Sequence, residues 1–467
     1  MPINYRKISQ NKYQLEKIPG IETEAVFYAK ESMLQTIGLD RSLEQLQNTA
    51  SLPDLVSPVI AMPDMHEGYG VPIGGVVATN NLISAGAVGM DINCGVRLLT
   101  SPLEYEETKY STTRFHQIIN QIEHLIPAGL GGKHKKNVIS FDMKEITTQG
   151  VPYLAKKGYA SQEDIDQTEE YGCLKGAGYP KLSQKAVQRA SKQLGTLGSG
   201  NHFIEIQKID QVFDENLARK WHLFKNQLCL MIHSGSRALG HQTCIDYLNI
   251  FAGKAQEYGI KIPNRELASL PLTTKEGQDY FAAMKACVNF AFCNRQLMTY
   301  FVRKIFEKNF KAKLSLLYDV AHNIGKHEEH DGQKILIHRK GATRALPAKH
   351  SQNPQTYLET GHPAIIPGSM GTVSYVLVGL PKNAETYHSV NHGSGRRMSR
   401  TQARKTIKEQ EFREIMKNIV CNKPFRVISD EAPQAYKNIE EVVDTLTEIN
   451  LTKKVVRLRP LVVIKGS

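Results

Sequence analysis

No CxxC pair occurs in this chain of 467 residues, and its seven cysteines are odd in number and scattered. That spacing supports neither a disulfide framework nor a zinc ribbon. No apolar run approaches the roughly 18 residues needed to span a bilayer. The opening stretch MPINYRKISQNKYQ is polar and has no signal-peptide core. A soluble, cytoplasmic protein with no membrane partner is the expectation. Internal repeats and low-complexity segments are absent too. There is no GxxxxGK(S/T) loop, which disfavours a P-loop triphosphatase, and no GxGxxG turn behind a strand, which disfavours a dinucleotide fold. No Lys-x-Asp-Gly tetrapeptide occurs, so the lysine nucleophile of ordinary ATP-dependent ligases has no counterpart.

Hydrophobic residues make up 41% and charged residues 22%, an ordinary globular composition. Collagen-like, mucin-like and wholly disordered chains are excluded. The length alone suggests about three domains. The formal net charge is +13 and the pI near 9.2, which points to a polyanionic partner, nucleic acid first. Solubility alone accounts for the charge equally well.

Residues 50–100 read as short apolar strands broken by Gly-rich turns. Residues 112–126 place Phe115, Ile118, Ile119, Ile122, Leu125 and Ile126 on one helical face. The polar stretch from about 130 to 182, with the run Lys133-His134-Lys135-Lys136, reads as a surface excursion. Ser183 caps a helix that stops near Gly195, and Ser399 caps one through about residue 419. Residues 277–309 form a long, apolar and central helix. Strand-like runs recur at 228–233, 314–322, 334–338, 372–379 and 455–464. Strands and helices interleave with no obvious linker. The expectation is therefore one large α/β domain over 1–467, despite the length.

Polar residues gather where the apolar runs end. Asp91-Ile92-Asn93-Cys94-Gly95 does so, as does Asn201-His202-Phe203-Ile204-Glu205 after a Gly-Ser-Gly. His233 ends LCLMIH, His322-Asn323 ends LSLLYDVAH, and His392 opens HGSGR. A single histidine after a strand is ordinarily only solvated or capped. Four such sites with an Asp-x-x-Cys look like a site built at strand ends. Asp, Cys and His offer O, S and N donors to a transition metal. The dispersed spacing is not that of a zinc finger. One thiolate can bridge two ions, which allows a two-metal site for phosphoryl chemistry. His327 and His330 in HEEHD are read as neighbours on a helix surface, because no HExxH is present. Cys173, Cys229, Cys244, Cys287, Cys293 and Cys421 read as buried thiols. The basic cluster at 338–344, with a glycine inside it, favours phosphate contact, and Arg396, Arg397, Arg400 and Arg404 follow the His392 loop. For Lys133–Lys136 a solvated face is preferred.

With these residues in hand, the chain strongly resembles the RtcB family of RNA ligases. Ten motifs carry the resemblance in order over residues 60–467: AMPDMHEGYGVPIGG, GMDINCGVRLL, GSGNHFIEI, MIHSGSRALGHQ, YDVAHNIGKHE, HRKGATRALP, IIPGSMGTVSYVLVG, HGSGRRMSR, DEAPQAYKNIEEV and VVIKG. The resemblance implies a distinct α/β fold that binds two Mn²⁺ ions and GTP. It implies joining of an RNA 2′,3′-cyclic phosphate or 3′-phosphate end to a 5′-hydroxyl end, in tRNA splicing or RNA repair. The implied metal ligands are Asp91, Cys94, His202, His233 and His322. Cys94 would bridge, with Asp91 and His202 on one ion and His233 and His322 on the other. His392 is implied as the histidine that becomes guanylylated. The implied guanylate pocket comprises Asn201, His202, Phe203, Ile204, Glu205, His322, Asn323, Pro367, Gly368, Ser369, Met370, Ser374, His392, Gly393, Ser394, Gly395, Tyr436 and Lys465. Asp64, Arg237 and Lys340 are implied to hold RNA ends. A monomer is expected, with archease or another activator as a partner the family admits.

One departure stands out: family loops commonly read His-Gly-Ala-Gly-Arg, where this chain has Ser394. Two other classes stay open. A dinuclear metallophosphoesterase would only hydrolyse cyclic phosphates, but has no need of His392 in its glycine loop. A non-catalytic RNA-binding protein fits the charge, but has no need of the ligand set.

Overall fold

The computed structural model describes residues 3–466 except 108–109, 130 and 135–139, so Lys135 and Lys136 of the basic run lie outside the described residues. The fold is mixed α/β, as expected, and rests on two large sheets. One runs Tyr5–Ser9, Lys12–Leu15, Ala25–Tyr28, Leu55–Tyr69, Val71–Thr79, Gln333–Lys340, Asn323–His330 across its width. The other runs Ser315–Ala321, Gly95–Glu104, Gln227–Ser234, Phe203–Val212, Thr452–Lys465, Ser374–Gly379, Ala364–Ile366, with Val420–Cys421 beside Thr452–Lys465. Ile60, Val76 and Ile337 of the first sheet share an apolar cluster with Ile366, Tyr375 and Leu377 of the second.

Behind the second sheet lies the helix Lys275–Phe310. Thr274 caps it by accepting from Gly277 N, and Lys311 ends it in the left-handed region at φ 56°. Its small and apolar residues let neighbours approach from most sides. Met298, Val302 and Phe306 pack with Ile118, Ile119 and Ile122 of the helix Thr112–Leu125 and with Leu230 and Ile232 of the sheet. Four of the six face residues named for that helix are buried within it, and Ile126 is buried just beyond its end.

Four expectations need correction. From residue 141 on, the 130–182 stretch is not a surface excursion. Its short helices bury Ile146, Val151 and Leu154 against the long helix, and Asp164 and Glu169 are buried with them. Its polar composition hid this because the buried polar groups are paired: Asp164 takes Arg303 at 2.7 Å, and Glu169 takes Lys326. His327 and His330 are on a strand, Asn323–His330, so side chains three apart face opposite sides. Asp331 and Gly332, both at positive φ, turn that strand into the next, the Asp-Gly hairpin signal that outweighs helical spacing. The helix from Ser399 ends at Thr406. Ile407 turns extended and buries its side chain before a second helix spans Glu409–Ile415. The helix from Ser183 likewise ends early, at Ala190.

A buried ion cluster ties the long helix to the second sheet. Asp319 accepts from Arg97 Nε at 2.7 Å and from Arg295 Nη2 at 2.7 Å, and all three side chains are fully buried. Arg295 Nη1 also donates to the carbonyls of Asn93 at 2.9 Å and Ser234 at 2.8 Å. It thus pins the residues beside Cys94 and His233. Removing one partner of such a cluster strands a buried charge, which costs about 3–5 kcal/mol. Asp319→Ala is therefore expected to lower unfolding free energy by that order in a urea titration. A loss near zero would mean that the two arginines find water or another anion.

Candidate metal and nucleotide site

Antiparallel pairing delivers the site to one edge of the second sheet. Cys94 and His202 precede strands that start there, and His233 and Lys465 sit on strands that end there. The register sets Phe203 opposite both His233 and Lys465, and Val96 opposite His233. His322 follows Ser315–Ala321 of this sheet and precedes Asn323–His330 of the other, so the chain crosses between sheets at this histidine.

The donor atoms converge. Cys94 Sγ lies 3.4 Å from His202 Nε2 and 3.2 Å from His233 Nε2. His233 Nε2 lies 3.3 Å from His322 Nε2, and His202 Nε2 lies 2.8 Å from Asp91 Oδ2. Two ligand groups result, Cys94–His233–His322 and Asp91–Cys94–His202, with Cys94 common to both. Backbone carbonyls orient two of the rings: His202 Nδ1 donates to Leu197 O at 3.0 Å and His233 Nδ1 to Asn201 O at 3.2 Å. That fixes the tautomer with a lone pair on each Nε2. Burial pushes the imidazoles of His233 and His322 well below the usual histidine range, so both are neutral donors near pH 7. Burial and the Asp91 carboxylate push the Cys94 thiol up. Burial works against ionising Asp91, but the neighbouring His202 and Cys94 prevail and hold its carboxyl below the ordinary value. Facing lone pairs at 3.2–3.4 Å are poorly served by hydrogen bonds alone, and a mixed O, N, S set suits a divalent transition ion. The residues present therefore fit two cations. Gly235 makes the room: a Cβ there would come within 2.4 Å of the Asp91 carboxylate.

His392 stands beside this cluster, its ring centroid 4.9 Å from that of His322. Asp64 supports it from the bulged strand Leu55–Tyr69. Asp64 Oδ2 accepts from His392 N at 2.9 Å and Gly393 N at 3.1 Å. The same oxygen lies 2.7 Å from His392 Nδ1, close but off the line of a straight hydrogen bond. With Nδ1 on the carboxylate side, Nε2 is the nitrogen left for chemistry. Gly395, at φ 70°, lets the loop press onto Asp64, since a Cβ would meet Asp64 O at 2.1 Å.

A pocket of about 210 Å³ opens between these groups. The family model for the tRNA-splicing ligase RtcB matches residues 45–466. The chain belongs to the RtcB family. It is 42% identical to the tRNA-splicing ligase RtcB of Archaeoglobus fulgidus, covering 99% of this chain and 98% of that one. With the Thermococcus kodakarensis protein of the same name it shares 43% over 94% of each. It also shares 41% with RNA-splicing ligase RtcB homolog 1 of Entamoeba dispar, over 91% of this chain and 82% of that one.

Of the guanylate residues expected from RtcB, fourteen line the pocket: Asn201, Phe203, His322, Asn323, Pro367 to Met370, His392 to Gly395, Tyr436 and Lys465. Four do not. His202 turns to Cys94 and Asp91 in the candidate ligand set, and Ile204 points into the apolar cluster behind the sheet, as strand alternation requires. Glu205 and Ser374 stand behind the wall. Gln207 Nε2 donates to Glu205 at 2.7 Å and to Ser374 Oγ at 3.3 Å, and Ser374 Oγ accepts from Gly368 N at 3.0 Å. Burial pushes the Glu205 carboxyl up to about 8, against the pull of Gln207 and Lys465. The Ser394 hydroxyl is buried and has no hydrogen-bond partner.

The three residues assigned to RNA ends sit differently from one another. Asp64 is under His392, as described. Arg237 is buried, with Nε on Thr196 at 3.2 Å and Nη2 on Gly129 O at 3.0 Å. Lys340 donates to the carbonyls of Tyr69 and Gly86 and is 3% exposed. The rest of its basic cluster is also interior: Arg339 pairs with Glu328, and Arg344 with Glu169 and Glu170. The expected phosphate-binding face at 338–344 is thus a set of buried ion pairs. The glycine there permits close packing on Gly74 and His392.

Pocket residues that the sequence reading passed over include His66 and Glu431, whereas Arg396 and Arg400, noted after the His392 loop, line the pocket as well. Glu431 gathers the Tyr436 hydroxyl, Arg396 at 3.3 Å, Arg400 at 3.4 Å and Lys465 at 3.4 Å. His66 and Glu431 both lie inside motifs already noted, DMHEGYG and DEAPQAY. Their position in those motifs was the available signal.

Proposed function

We propose that this chain is an RNA ligase that uses GTP and two Mn²⁺ ions to join RNA 3′-phosphate or 2′,3′-cyclic phosphate ends to 5′-hydroxyl ends. The single observation that supports this reading most is His392, oriented by Asp64, in the lining of a pocket shared with members of a candidate two-cation ligand set. A hydrolase needs the ligand set but not the oriented histidine.

The steps follow from the residues. His392 Nε2 attacks the α-phosphorus of GTP; an N–P bond forms and pyrophosphate leaves. Asp64 steadies the imidazolium that develops at Nδ1. An oxygen of the RNA 3′-phosphate then attacks the same phosphorus, the N–P bond breaks and His392 returns to neutral imidazole. The product is RNA(3′)pp(5′)G. The 5′-hydroxyl oxygen next attacks the RNA phosphorus, loses its proton and expels GMP. A cyclic phosphate must first be opened by water. Asp91, Cys94, His202, His233 and His322 would hold the Mn²⁺ ions, which supply charge neutralisation at phosphoryl oxygens and acidify water. tRNA halves are the substrate that the relatives' names suggest.

GTP labelled at the α-phosphate tests the reading. The wild-type protein should take up acid-labile label and pass it to RNA with a 3′-phosphate. RNA with 3′-hydroxyl and 5′-phosphate ends should not be joined, since a 3′-hydroxyl has no phosphate to accept GMP. Efficient sealing of that pair would place the enzyme in another class.

Lys465 offers a further check. Its Nζ donates to Gly200 O at 3.0 Å and faces Glu431, with the Phe203 ring beneath it. Hydrogen bonds to a charged group contribute roughly 1.5–3 kcal/mol. Lys465→Ala is expected to raise the GTP concentration for half-maximal labelling by about tenfold or more on that scale. Glu431 keeps three other partners, so the melting temperature should move little. Labelling at wild-type rate under limiting GTP would make the tail a structural strand only.

A further inference from the structure

A second depression adjoins the nucleophile pocket. It is a groove of about 930 Å³ between residues 36–42 and 65–68 on one wall and 396–402 on the other. Three residues belong to both spaces: His66, Arg396 and Arg400. None of the five metal ligands lines the groove. Whatever enters along it therefore meets the His392 loop before it meets the cations.

The chemistry of the walls is that of a single-strand track. Five cationic side chains line the groove against two acidic ones, Asp40 and Glu67. Asp40 already accepts from the backbone amides of Ser42 at 2.9 Å and Glu67 at 2.8 Å. Arg397 is exposed, and its Nε donates to Gln434 O at 2.7 Å, its one side-chain bond among the described residues. Arg400 has a side chain 54% exposed. Leu39 stands on the opposite wall, 79% exposed, an apolar face on which a base can lie. Exposed guanidinium groups track phosphates, and an unstacked base can pack on an apolar side chain. At the inner end His66 Nδ1 bonds Asp64 O at 3.0 Å, which leaves its other nitrogen at the junction of the two spaces.

We propose that this groove holds the RNA strand that ends in the 3′-phosphate. The inference rests on the function proposed above, in which that phosphate is the first RNA group to meet His392. Residues 36–42 lie before the span matched by the family model, and residues 65–68 of the same wall lie within it.

The test separates the steps. Self-labelling with GTP involves neither Arg397 nor Leu39, because neither lines the nucleotide pocket. Arg397→Glu and Leu39→Glu should therefore label His392 at wild-type rate, which also reports that they are folded. With a 20-mer RNA carrying a 3′-phosphate and no 5′-hydroxyl partner, formation of RNA(3′)ppG is then followed against RNA concentration. Arg397→Glu should need about tenfold more RNA and show a salt slope smaller by about one. Leu39→Glu should show a smaller shift in the same direction. Unchanged RNA dependence in both variants would overturn the proposal. So would a defect confined to joining preformed RNA(3′)ppG to a 5′-hydroxyl strand, since the groove would then serve the other end or a protein partner. A wild-type protein that takes no label from GTP would instead overturn the functional reading itself.

Discussion

His392→Ala is expected to lose GMP labelling by at least about 10³-fold, because nucleophile and leaving group are the same atom and nothing nearby replaces it. The nearest imidazole, His322, has its Nε2 committed to the convergence with His233 and Cys94. No lysine of the Lys-x-Asp-Gly kind exists elsewhere in the chain. The variant should still bind its cations, since His392 belongs to neither ligand group. It should also fold, because Asp64 keeps the two backbone amides of residues 392 and 393 whatever the side chain. Labelling and metal content are thus separable readouts on one sample. Supplying preformed RNA(3′)ppG should largely restore joining, because that step comes after the histidine has done its work. Persistent acid-labile label on the variant would assign the nucleophile elsewhere.

Much of this site was legible before any fold was known, and the reason is geometric. Antiparallel strands alternate in direction, so residues that precede one strand and follow the next fall on one edge. The polar clusters at the ends of apolar runs held Cys94, His202, His233 and His322, and all four meet there. Asp64, by contrast, sits in the middle of the long strand Leu55–Tyr69, where periodicity marks only burial. Its contact with His392 spans more than three hundred residues and crosses from sheet to loop. The 338–344 cluster was misplaced for a related reason. Charge in a sequence is read as surface, and only the fold shows Glu328, Glu169 and Glu170 brought opposite Arg339 and Arg344. Pairing of distant residues is what local pattern cannot supply. The HEEHD strand failed differently, since a turn of two residues at positive φ decided its class and helical spacing did not.

Cys94→Ala should cost both cations rather than one. Its sulfur is the only donor shared by the two ligand groups among the described residues, 3.4 Å from His202 Nε2 and 3.2 Å from His233 Nε2. Removing it leaves each cation two protein ligands, Asp91 with His202 and His233 with His322. It also takes away the one anionic donor that would offset charge on both ions at once. Two imidazoles alone make a weak site for a hard ion such as Mn²⁺. The expected outcome after dialysis is well under one Mn²⁺ per chain, against two for wild type, with GMP labelling down by about 10²-fold or more. Asp91→Asn supplies the contrast. It touches one group only, so one ion should be retained and labelling should fall less than for Cys94→Ala. Loss of fold is not the explanation to expect, because deleting one buried sulfur costs on the order of 1 kcal/mol. The melting curve of each variant without added metal checks that. A Cys94→Ala protein that holds two Mn²⁺ per chain and turns over normally would show that the thiol packs the cluster without bridging it. The two ions would then be held by separate donors, and Asp91→Asn would cost more than Cys94→Ala.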